Sequence, residues 1–315
     1  MGVVTYSAAF TVVPTYECFN RCDYCNFRQN LGQGWNVDEK GVRESLRSLV
    51  NTDVCEVLIL SGEVHPRSGD RPQWFTKIYQ ACQIALELGF LPHTNVGPLS
   101  WVEMMALAQV NVSMGLMVEQ VTPRWRKTVH RYAPSKEPEL RLDQLRQAGA
   151  LRIPFTTGIL VGLGESVGDR EDSLRAIAKI HRQYAHIQEV IIQPYQPGSG
   201  QISSWPGCSM GELVEAIAMA RSLLPTDIAI QVPPNLLTRP ADLQAALQAG
   251  ARDLGGIGPV DEVNPDYGHM TLAQMKSSLV REKFKLQKRL PVYPQYESWV
   301  PLPLQRAITQ WKQRV

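Results

Sequence analysis

The chain has 315 residues, of which 44% are hydrophobic and 20% charged, so it can bury the core of one large α/β domain or of two smaller ones. Its formal net charge of +2 gives no global attraction to nucleic acid or to an anionic membrane, and we expect neither as a partner. The sequence has no run of about 18 apolar residues and no basic segment followed by an apolar core and a cleavage site. These features predict a cytoplasmic protein without a membrane span.

Short apolar, β-rich runs alternate with amphipathic helical patterns along most of the chain. The predicted strands are an apolar run over 8–13 and then 55–60, 91–96, 111–118, 153–161, 189–193, 228–232 and 252–257. Eight strand–helix units without a hairpin signal predict a parallel sheet, and their number predicts an α/β fold of the closed (β/α)8 barrel type over residues 1–265. A doubly wound open sheet is the alternative, because periodicity does not show closure. Residues 266–315, with a basic helix and several prolines, are predicted to form a C-terminal tail packed on the barrel.

Three of the six cysteines, Cys18, Cys22 and Cys25, lie in one short segment after the first predicted strand. Three thiolates with this C-x3-C-x2-C spacing can ligate three irons of a cubane iron–sulfur cluster and leave the fourth iron open. A zinc site is the second interpretation, but zinc usually takes four ligands from two paired motifs, and no second pair with suitable spacing follows. Structural thiols are the third interpretation. Clustered thiols without an export signal favour metal binding in a reducing compartment.

Polar or glycine-containing segments directly follow the first six predicted strands. They are residues 18–25, 61–63, 95–97, 119, 162–165 and 193–196. Because the carboxyl ends of the strands share one rim of a (β/α)8 barrel, where active sites lie, we expect these segments to form one composite site.

The cysteine motif, with the aromatic residue Tyr24 before the last cysteine, resembles the signature of the radical S-adenosylmethionine (SAM) superfamily. The resemblance implies one [4Fe-4S] cluster on Cys18, Cys22 and Cys25, with SAM bound to the open iron. In that superfamily one electron from the cluster cleaves SAM, and the resulting 5′-deoxyadenosyl radical abstracts a hydrogen atom from the substrate. The cofactors carry this chemistry, and the protein orients them and excludes water.

Two further motifs resemble SAM-binding elements of the superfamily. Ser61-Gly62-Glu63 resembles the Gly-Gly-Glu motif after the second strand, which binds the methionine amino group, with a serine replacing the first glycine. Residues 158–165, which include Gly162, resemble the fifth-strand pattern that packs beside the adenine. By itself, this second motif is equally typical of a buried strand that ends in a turn.

Three single residues complete the SAM contacts that the resemblance implies. Tyr24 shields the cluster or contacts a ligand, and an ordinary packing role is its alternative. Glu119 binds the ribose or the substrate. Arg141 pairs with the methionine carboxylate, and a surface helical arginine is its alternative.

Longer segments resemble the family of first subunits of 7,8-didemethyl-8-hydroxy-5-deazariboflavin (FO) synthase. The likeness runs from about residue 4 to residue 300 and includes residues 4–7, 60–63, 113–119, 154–165, 231–236 and 253–260. It implies a small-molecule substrate made beforehand from tyrosine and a ribityl diaminouracil by a separate, tyrosine-coupling radical SAM partner subunit. It also implies an electron donor such as flavodoxin or ferredoxin. The implied reaction is hydrogen abstraction, ring closure and loss of ammonia.

A phenolic uracil that carries a sugar chain requires hydrogen-bonding groups around a flat apolar slot. The substrate-site candidates at the predicted rim are His65, Asn95, Gln193, Tyr195, Asn235 and Asp261. Two alternatives keep the superfamily and change the substrate: the tyrosine-coupling subunit and a biotin synthase-like enzyme. A non-enzymatic zinc or iron–sulfur interaction module is the alternative from another class, and a scaffold of eight units with motifs on one rim argues against it.

Overall fold

Eight parallel strands alternate with helices and close into a barrel. The computed structural model describes residues 2–35, 37–201, 205–237, 239–268, 270–281 and 283–314. β1 pairs with β2 on one side and with β8 on the other, so the eight-stranded ring is continuous. This closure confirms the predicted (β/α)8 barrel and excludes the open doubly wound sheet.

The strands of the barrel are β1 (Gly2–Val12), β2 (Glu56–Leu60), β3 (Leu91–Asn95), β4 (Ser113–Gly115), β5 (Phe155–Val161), β6 (Ile187–Pro194), β7 (Ala229–Gln231) and β8 (Asp253–Ile257). The helices around it are α1 (Glu39–Arg47), α2 (Arg71–Glu87), α3 (Trp101–Leu107), α4 (Pro138–Ala150), α5 (Val167–Tyr184), α6 (Met210–Leu223), α7 (Pro240–Ala249) and α8 (Leu272–Arg281). A ninth strand, β9 (Phe284–Arg289), and a last helix, α9 (Leu302–Lys312), follow.

Local sequence explains where several helices begin. Ser100 and Ser166 each accept a hydrogen bond from the backbone N–H three residues on, and the acidic residue there bonds back to the serine N–H. These capping boxes satisfy N–H groups that the first helical turn leaves free. The apolar faces of the helices pack on the outside of the barrel and form one continuous core with the strands. None of the helices in the described ranges is both long and apolar enough to cross a bilayer.

The C-terminal segment is more closely integrated with the barrel than the sequence suggested. The predicted basic helix ends at Arg281, and the basic residues after it form β9, which pairs in parallel with the first half of β1. β2 pairs only with the second half of β1, so the backbone groups of the first half are free to pair with β9. On α9, the Trp311 indole donates to the Gly89 carbonyl at 2.6 Å. The division into a barrel domain (1–265) and a tail (266–315) stays a prediction.

A buried ion-pair network fills the amino-terminal end of the barrel, and we call it the floor cluster. Arg289, the last residue of β9, donates to Asp253 at 2.6 Å and also pairs with Glu189. The Tyr293 hydroxyl lies 3.0 Å from Asp253 and 3.2 Å from Glu189. Burial raises the pKa of Glu189 to about 8, although the nearby Arg289 lowers it in part. Burial would also raise the pKa of Asp253, but Arg289 holds it below its usual value. One guanidinium therefore neutralises one carboxylate, and the other keeps its proton near neutral pH.

Replacing Arg289 with Met should destabilise the fold strongly. The change leaves Asp253 buried without its cation, and breaking a buried pair on one side costs about 3–5 kcal/mol. Denaturant unfolding at pH 7 measures the loss. The loss of unfolding free energy relative to the parent should grow between pH 5 and pH 8. Without its cation the buried carboxylate has a raised pKa in the folded state, so folding is increasingly opposed as the pH rises and the unfolded chain ionises.

The matched control is Lys285→Met on the same strand, where the side chain is exposed. We expect it to change the free energy of unfolding by less than about 0.5 kcal/mol. Equal losses for the two variants would show that the floor cluster has no special role in stability.

Candidate active site

The loop between β1 and α1 carries the three clustered cysteines, and all three thiols face one cavity of about 380 Å³ at the carboxyl end of the barrel. Backbone hydrogen bonds fix the loop from two sides. The Phe19 N–H donates to the Glu63 carbonyl at 3.0 Å, and the Arg21 N–H donates to the Tyr132 carbonyl at 2.7 Å. The loop is therefore held between the segment after β2 and the long connection between β4 and α4.

Burial keeps the three thiols neutral when no metal is bound. Burial raises the pKa of Cys18 to about 11 and raises the pKa values of Cys22 and Cys25 as well, so without metal all three stay protonated at neutral pH. Iron binding replaces those protons. Lys136 lowers the pKa values of Cys22 and Cys25 in part, and the Glu63 N–H donates to the Cys18 sulfur at 3.3 Å.

A donor set of three thiols fits a [4Fe-4S] cluster. In the described ranges, no three His, Cys, Asp or Glu side chains come close enough to share a single metal ion. A cubane differs from such a site because each thiolate binds its own iron. The thiols therefore match the cluster that the motif predicts.

Gly62 allows the segment after β2 to lie directly against the cysteine loop. A Cβ at Gly62 would come 2.0 Å from the backbone carbonyl oxygen of Glu17, the residue before Cys18. Ser61, where the superfamily motif has glycine, accepts a hydrogen bond of 2.9 Å from the Trp74 indole. The serine thus ties the end of β2 to α2, and glycine is required only at position 62.

Four charged side chains form a buried network beside the thiols, and we call it the charged rim network. Glu63 pairs with Arg141 at 3.0 Å and lies 4.0 Å from Lys136. Glu119 pairs with Lys136 at 2.6 Å and lies 3.6 Å from Arg141. Burial by itself would raise the pKa of Glu63, but Arg141 and Lys136 together hold it below its usual value. Glu63 is therefore ionised at neutral pH.

Two neutral side chains complete the contacts of Glu63. Asn20, from the cysteine loop, donates to Glu63 at 2.9 Å, and the Ser135 hydroxyl donates to the same carboxylate oxygen. Asn20 also binds Ser135 at 2.8 Å. This one carboxylate therefore joins the cysteine loop, the end of β2 and the β4–α4 connection.

Glu119 has a backbone φ of 68°, in the left-handed region that non-glycine residues rarely adopt. Its N–H donates to the Gly158 carbonyl at 3.2 Å, and its carbonyl accepts from Leu160 at 3.0 Å. The neighbouring strand thus holds this conformation, which directs the carboxylate into the cavity. Such conformations are common at functional sites.

Tyr24 and the fifth-strand motif lie on one side of the cavity. The Tyr24 hydroxyl and His130 Nε2 form a hydrogen bond of 3.0 Å, and burial lowers the pKa of His130 to about 2, so the imidazole is neutral. Leu160 lines the cavity. Gly162 does not: at φ 100° it forms the turn after β5, and Glu165 accepts its N–H at 2.8 Å. Its contact with SAM stays a prediction.

Five of the six substrate-site candidates line the cavity. They are Asn95, Gln193, Tyr195, Asn235 and Asp261. The structure places the sixth, His65, elsewhere: its side chain is exposed, packs edge-on against Phe19 and accepts a hydrogen bond from the Arg67 N–H. Because the chain turns outward after Glu63, a residue two positions later no longer faces the barrel axis.

Some residues that complete the site were not predicted from the sequence. Lys136, Asn20 and Ser135 belong to the charged rim network or contact it, and Gln231 lines the cavity at the end of β7. Gln231 is the last residue of β7, so the search for polar residues at strand ends could have identified it. Lys136 and Ser135 lie on a short 3-10 turn (Pro134–Lys136) far along a connection, where no strand end indicates them.

Replacing Gly62 with Ala should displace the cysteine loop, because the new Cβ meets backbone rather than a flexible side chain. We expect a folded protein that retains fewer than half of the irons of the parent, for which about four per chain are expected. Iron analysis and visible absorbance after anaerobic reconstitution measure this. The control is Gly69→Ala, where a Cβ meets nothing within 4 Å. Full iron content in both variants would contradict the proposed contact.

Comparisons with known proteins agree with this geometry. The family model described as the radical SAM superfamily matches residues 12–177. The 7,8-didemethyl-8-hydroxy-5-deazariboflavin synthase of Trichormus variabilis is 54% identical over 314 residues, covering 100% of this chain and 92% of the relative. The protein of the same name from Gloeobacter violaceus is 52% identical over 314 residues, covering 99% and 97%.

Solved structures show the same fold at low identity. The [FeFe]-hydrogenase maturase HydG from Carboxydothermus hydrogenoformans matches with a TM-score of 0.72 and 17% identity, covering 100% of this chain and 78% of the other. Methylornithine synthase matches with a TM-score of 0.68 and 16% identity, covering 91% and 84%. The barrel, the three thiols and the full-length relatives agree: this chain belongs to the 7,8-didemethyl-8-hydroxy-5-deazariboflavin synthase family of the radical SAM superfamily, whose members use a [4Fe-4S] cluster and SAM.

Proposed function

We propose that the enzyme forms FO from 5-amino-5-(4-hydroxybenzyl)-6-(D-ribitylimino)-5,6-dihydrouracil, as the first subunit of a two-subunit FO synthase. The observation that carries this proposal is the full-length match, at 52–54% identity, to relatives named for FO synthesis. The proposed reaction abstracts a hydrogen atom from the adduct, closes a new ring between its phenol and uracil portions and releases ammonia. The oxidation is completed by the loss of one further electron, which the cluster would accept. The single C-x3-C-x2-C motif supports one cluster per chain.

In this proposal Cys18, Cys22 and Cys25 hold the cluster. When bound, the cluster and SAM together supply the carbon radical that removes the hydrogen atom. The chain contributes a fixed and largely buried setting. Lys136 offsets the negative charge of two thiolates, and the Glu63 N–H offsets that of the third.

We assign the methionine carboxylate of SAM to Lys136 rather than to Arg141, for which the sequence predicted this role. The three Arg141 nitrogens donate to Ser135, Met117 and Glu63, and only 1% of its side chain is exposed. Both side chains line the cavity, but Lys136 is 14% exposed and lies beside Cys22 and Cys25. Arg141 is thereby left to keep Glu63 in place.

We assign the remaining SAM contacts to residues that lie at or directly after the ends of strands. Ser61, Gly62 and Glu63 offer backbone groups and a carboxylate to the methionine amino group, and Glu119 offers its carboxylate to the ribose hydroxyls. Tyr24 and Leu160 provide apolar surface on the side that the fifth-strand motif predicts for the adenine. Buried apolar walls keep water from the radical, which would otherwise be quenched.

The substrate is placed in the part of the cavity between β6, β7 and β8. Its walls there are largely apolar, as the phenol ring of the adduct requires, and include Ile191, Leu254 and Ile257. The proposed partners are the tyrosine-coupling subunit, which supplies the adduct, and a low-potential donor such as flavodoxin or ferredoxin, which supplies the electron.

Product formation tests the proposed function directly. Anaerobically reconstituted enzyme with dithionite, SAM, the tyrosine-coupling subunit, tyrosine and the ribityl diaminouracil should produce the fluorescence of FO, together with 5′-deoxyadenosine and ammonia. Omitting either subunit should abolish the fluorescence. Cluster-loaded enzyme that cleaves SAM in the complete mixture without forming FO would show that the substrate is a different one.

Replacing Lys136 with Met tests the carboxylate assignment. Loss of a charge-assisted hydrogen bond should weaken SAM binding roughly tenfold or more, while the iron content stays near that of the parent. Equilibrium binding of SAM to the reconstituted enzyme measures the effect. The control is Lys127→Met, an exposed lysine on the same connection. Unchanged SAM affinity in the Lys136 variant would return the role to Arg141.

A further inference from the structure

The polar side chains that line the cavity differ in whether the protein already supplies them with a partner. Every charged one has a partner. The pairs are Glu119 with Lys136, Glu63 with Arg141, Asp261 with Asn235, Glu262 with Tyr16 and Arg28 with Asn30. The partners of Asp261, Glu262 and Arg28 are neutral, so these three side chains keep their charge, but each already has a hydrogen bond within the protein.

The lining oxygen and nitrogen side chains that lack a hydrogen bond to any described residue are uncharged. They are Thr11, Asn95, Gln193, Gln231 and Asn264. None of their polar atoms is both fully buried and unpaired, so water in the cavity can bond them until a ligand with matching donors and acceptors replaces it. These side chains therefore indicate where a neutral polar ligand binds.

Gln193 and Gln231 are neighbours on adjacent strands. Gln231 is the last residue of β7 and pairs in register with Ile191 of β6, and Gln193 lies two positions further along β6. Because alternate residues of a strand face the same side, Ile191 and Gln193 both point into the barrel, and all three residues line the cavity. The two carboxamides thus lie one above the other on the same wall.

The backbone of β8 makes room for one of these carboxamides. Gly255 has a φ of 71°, and a Cβ at this position would come 2.2 Å from Gln231 Nε2. Any other residue would push the carboxamide away from its present position. The free amide of Gln231 therefore occupies a space that is shaped to hold it.

A carboxamide combines one carbonyl acceptor with an NH2 donor, and two of them can match a ligand edge on which acceptors and a donor alternate. The imide edge of a uracil ring, with its C2 carbonyl, N3–H and C4 carbonyl, is such an edge and carries no charge. We propose that Gln193 and Gln231 bind this imide edge of the substrate's pyrimidine ring and set its orientation. This inference rests on the proposed function, since it takes the pyrimidine from that substrate.

The first test uses the ribityl diaminouracil, which carries the same imide edge as the proposed adduct, as a probe and measures its binding to cluster-loaded, SAM-bound enzyme. Gln193→Met and Gln231→Met keep the approximate shape and remove the hydrogen bonds. Each should weaken binding roughly ten- to a hundredfold, which is the effect of leaving buried polar groups unpaired. SAM affinity, measured in the same preparations, should stay within about twofold, since neither glutamine belongs to the charged rim network. The matched control is Gln196→Met, because Gln196 also lines the cavity but donates to the Cys208 carbonyl at 3.3 Å.

The second test removes the hydrogen bond from the ligand instead. Methylation at N3 of the ribityl diaminouracil should weaken binding to the parent enzyme roughly tenfold or more, because it removes the N–H that the glutamines would bind. The same methylation should change binding to the Gln193→Met/Gln231→Met double variant by less than about threefold. A merely structural role of the glutamines would leave the methylation effect the same in both proteins.

An equal effect of methylation in parent and double variant would overturn the proposal, and so would a loss of binding in Gln196→Met as large as in the other two variants. The proposed function fails separately. A parent enzyme that binds the pyrimidine and discriminates against its N3-methyl form, yet makes no FO, would refute the reaction and retain the subsite.

Discussion

The ionised carboxylate of Glu63 is the interaction on which the site depends. It accepts hydrogen bonds from Asn20, Ser135 and Arg141, so three segments far apart in sequence meet at one side chain. The N–H of the same residue donates to the Cys18 sulfur. Glu63 therefore couples the position of the cysteine loop to the charge balance of the rim. A carboxylate in this position would be unfavourable without its two cations, which explains why Lys136 and Arg141 are both buried beside it.

The parts of the site that the sequence predicted share a local cause. In a parallel barrel a polar residue that directly follows a strand must face the rim, and this rule is enough to locate the cysteine loop, Glu63, Asn95 and Gln193 from the order of residues alone. The barrel itself followed from the alternation of strands and helices, whose spacing is set by short-range patterns. Strand ends differed from prediction most at β1, which begins at Gly2 rather than at residue 8, and at β4, which is only Ser113–Gly115.

The parts that were not predicted depend on tertiary contacts. Lys136 reaches the site through a long connection whose path is fixed by its hydrogen bonds to the cysteine loop, and no local pattern encodes that path. The sequence predicted a basic helix in the C-terminal tail but no strand there, so β9 was missed. It becomes a strand because the first half of β1 offers a free edge. His65 illustrates the opposite error, since the rule for strand ends holds only until the chain turns outward.

The floor cluster has a consequence for the order in which the molecule can assemble. Its carboxylates come from β6 and β8, but its cation comes from β9, which is made after all eight strands of the ring. A nascent chain that has just completed β8 therefore has the whole ring but no counter-charge for its centre. A ring that closes before residues 284–293 are made would bury Asp253 without its cation, so the barrel reaches its full stability only with the segment that follows it. A fragment that ends with the eighth strand would hold every active-site cysteine and still lack a stable interior.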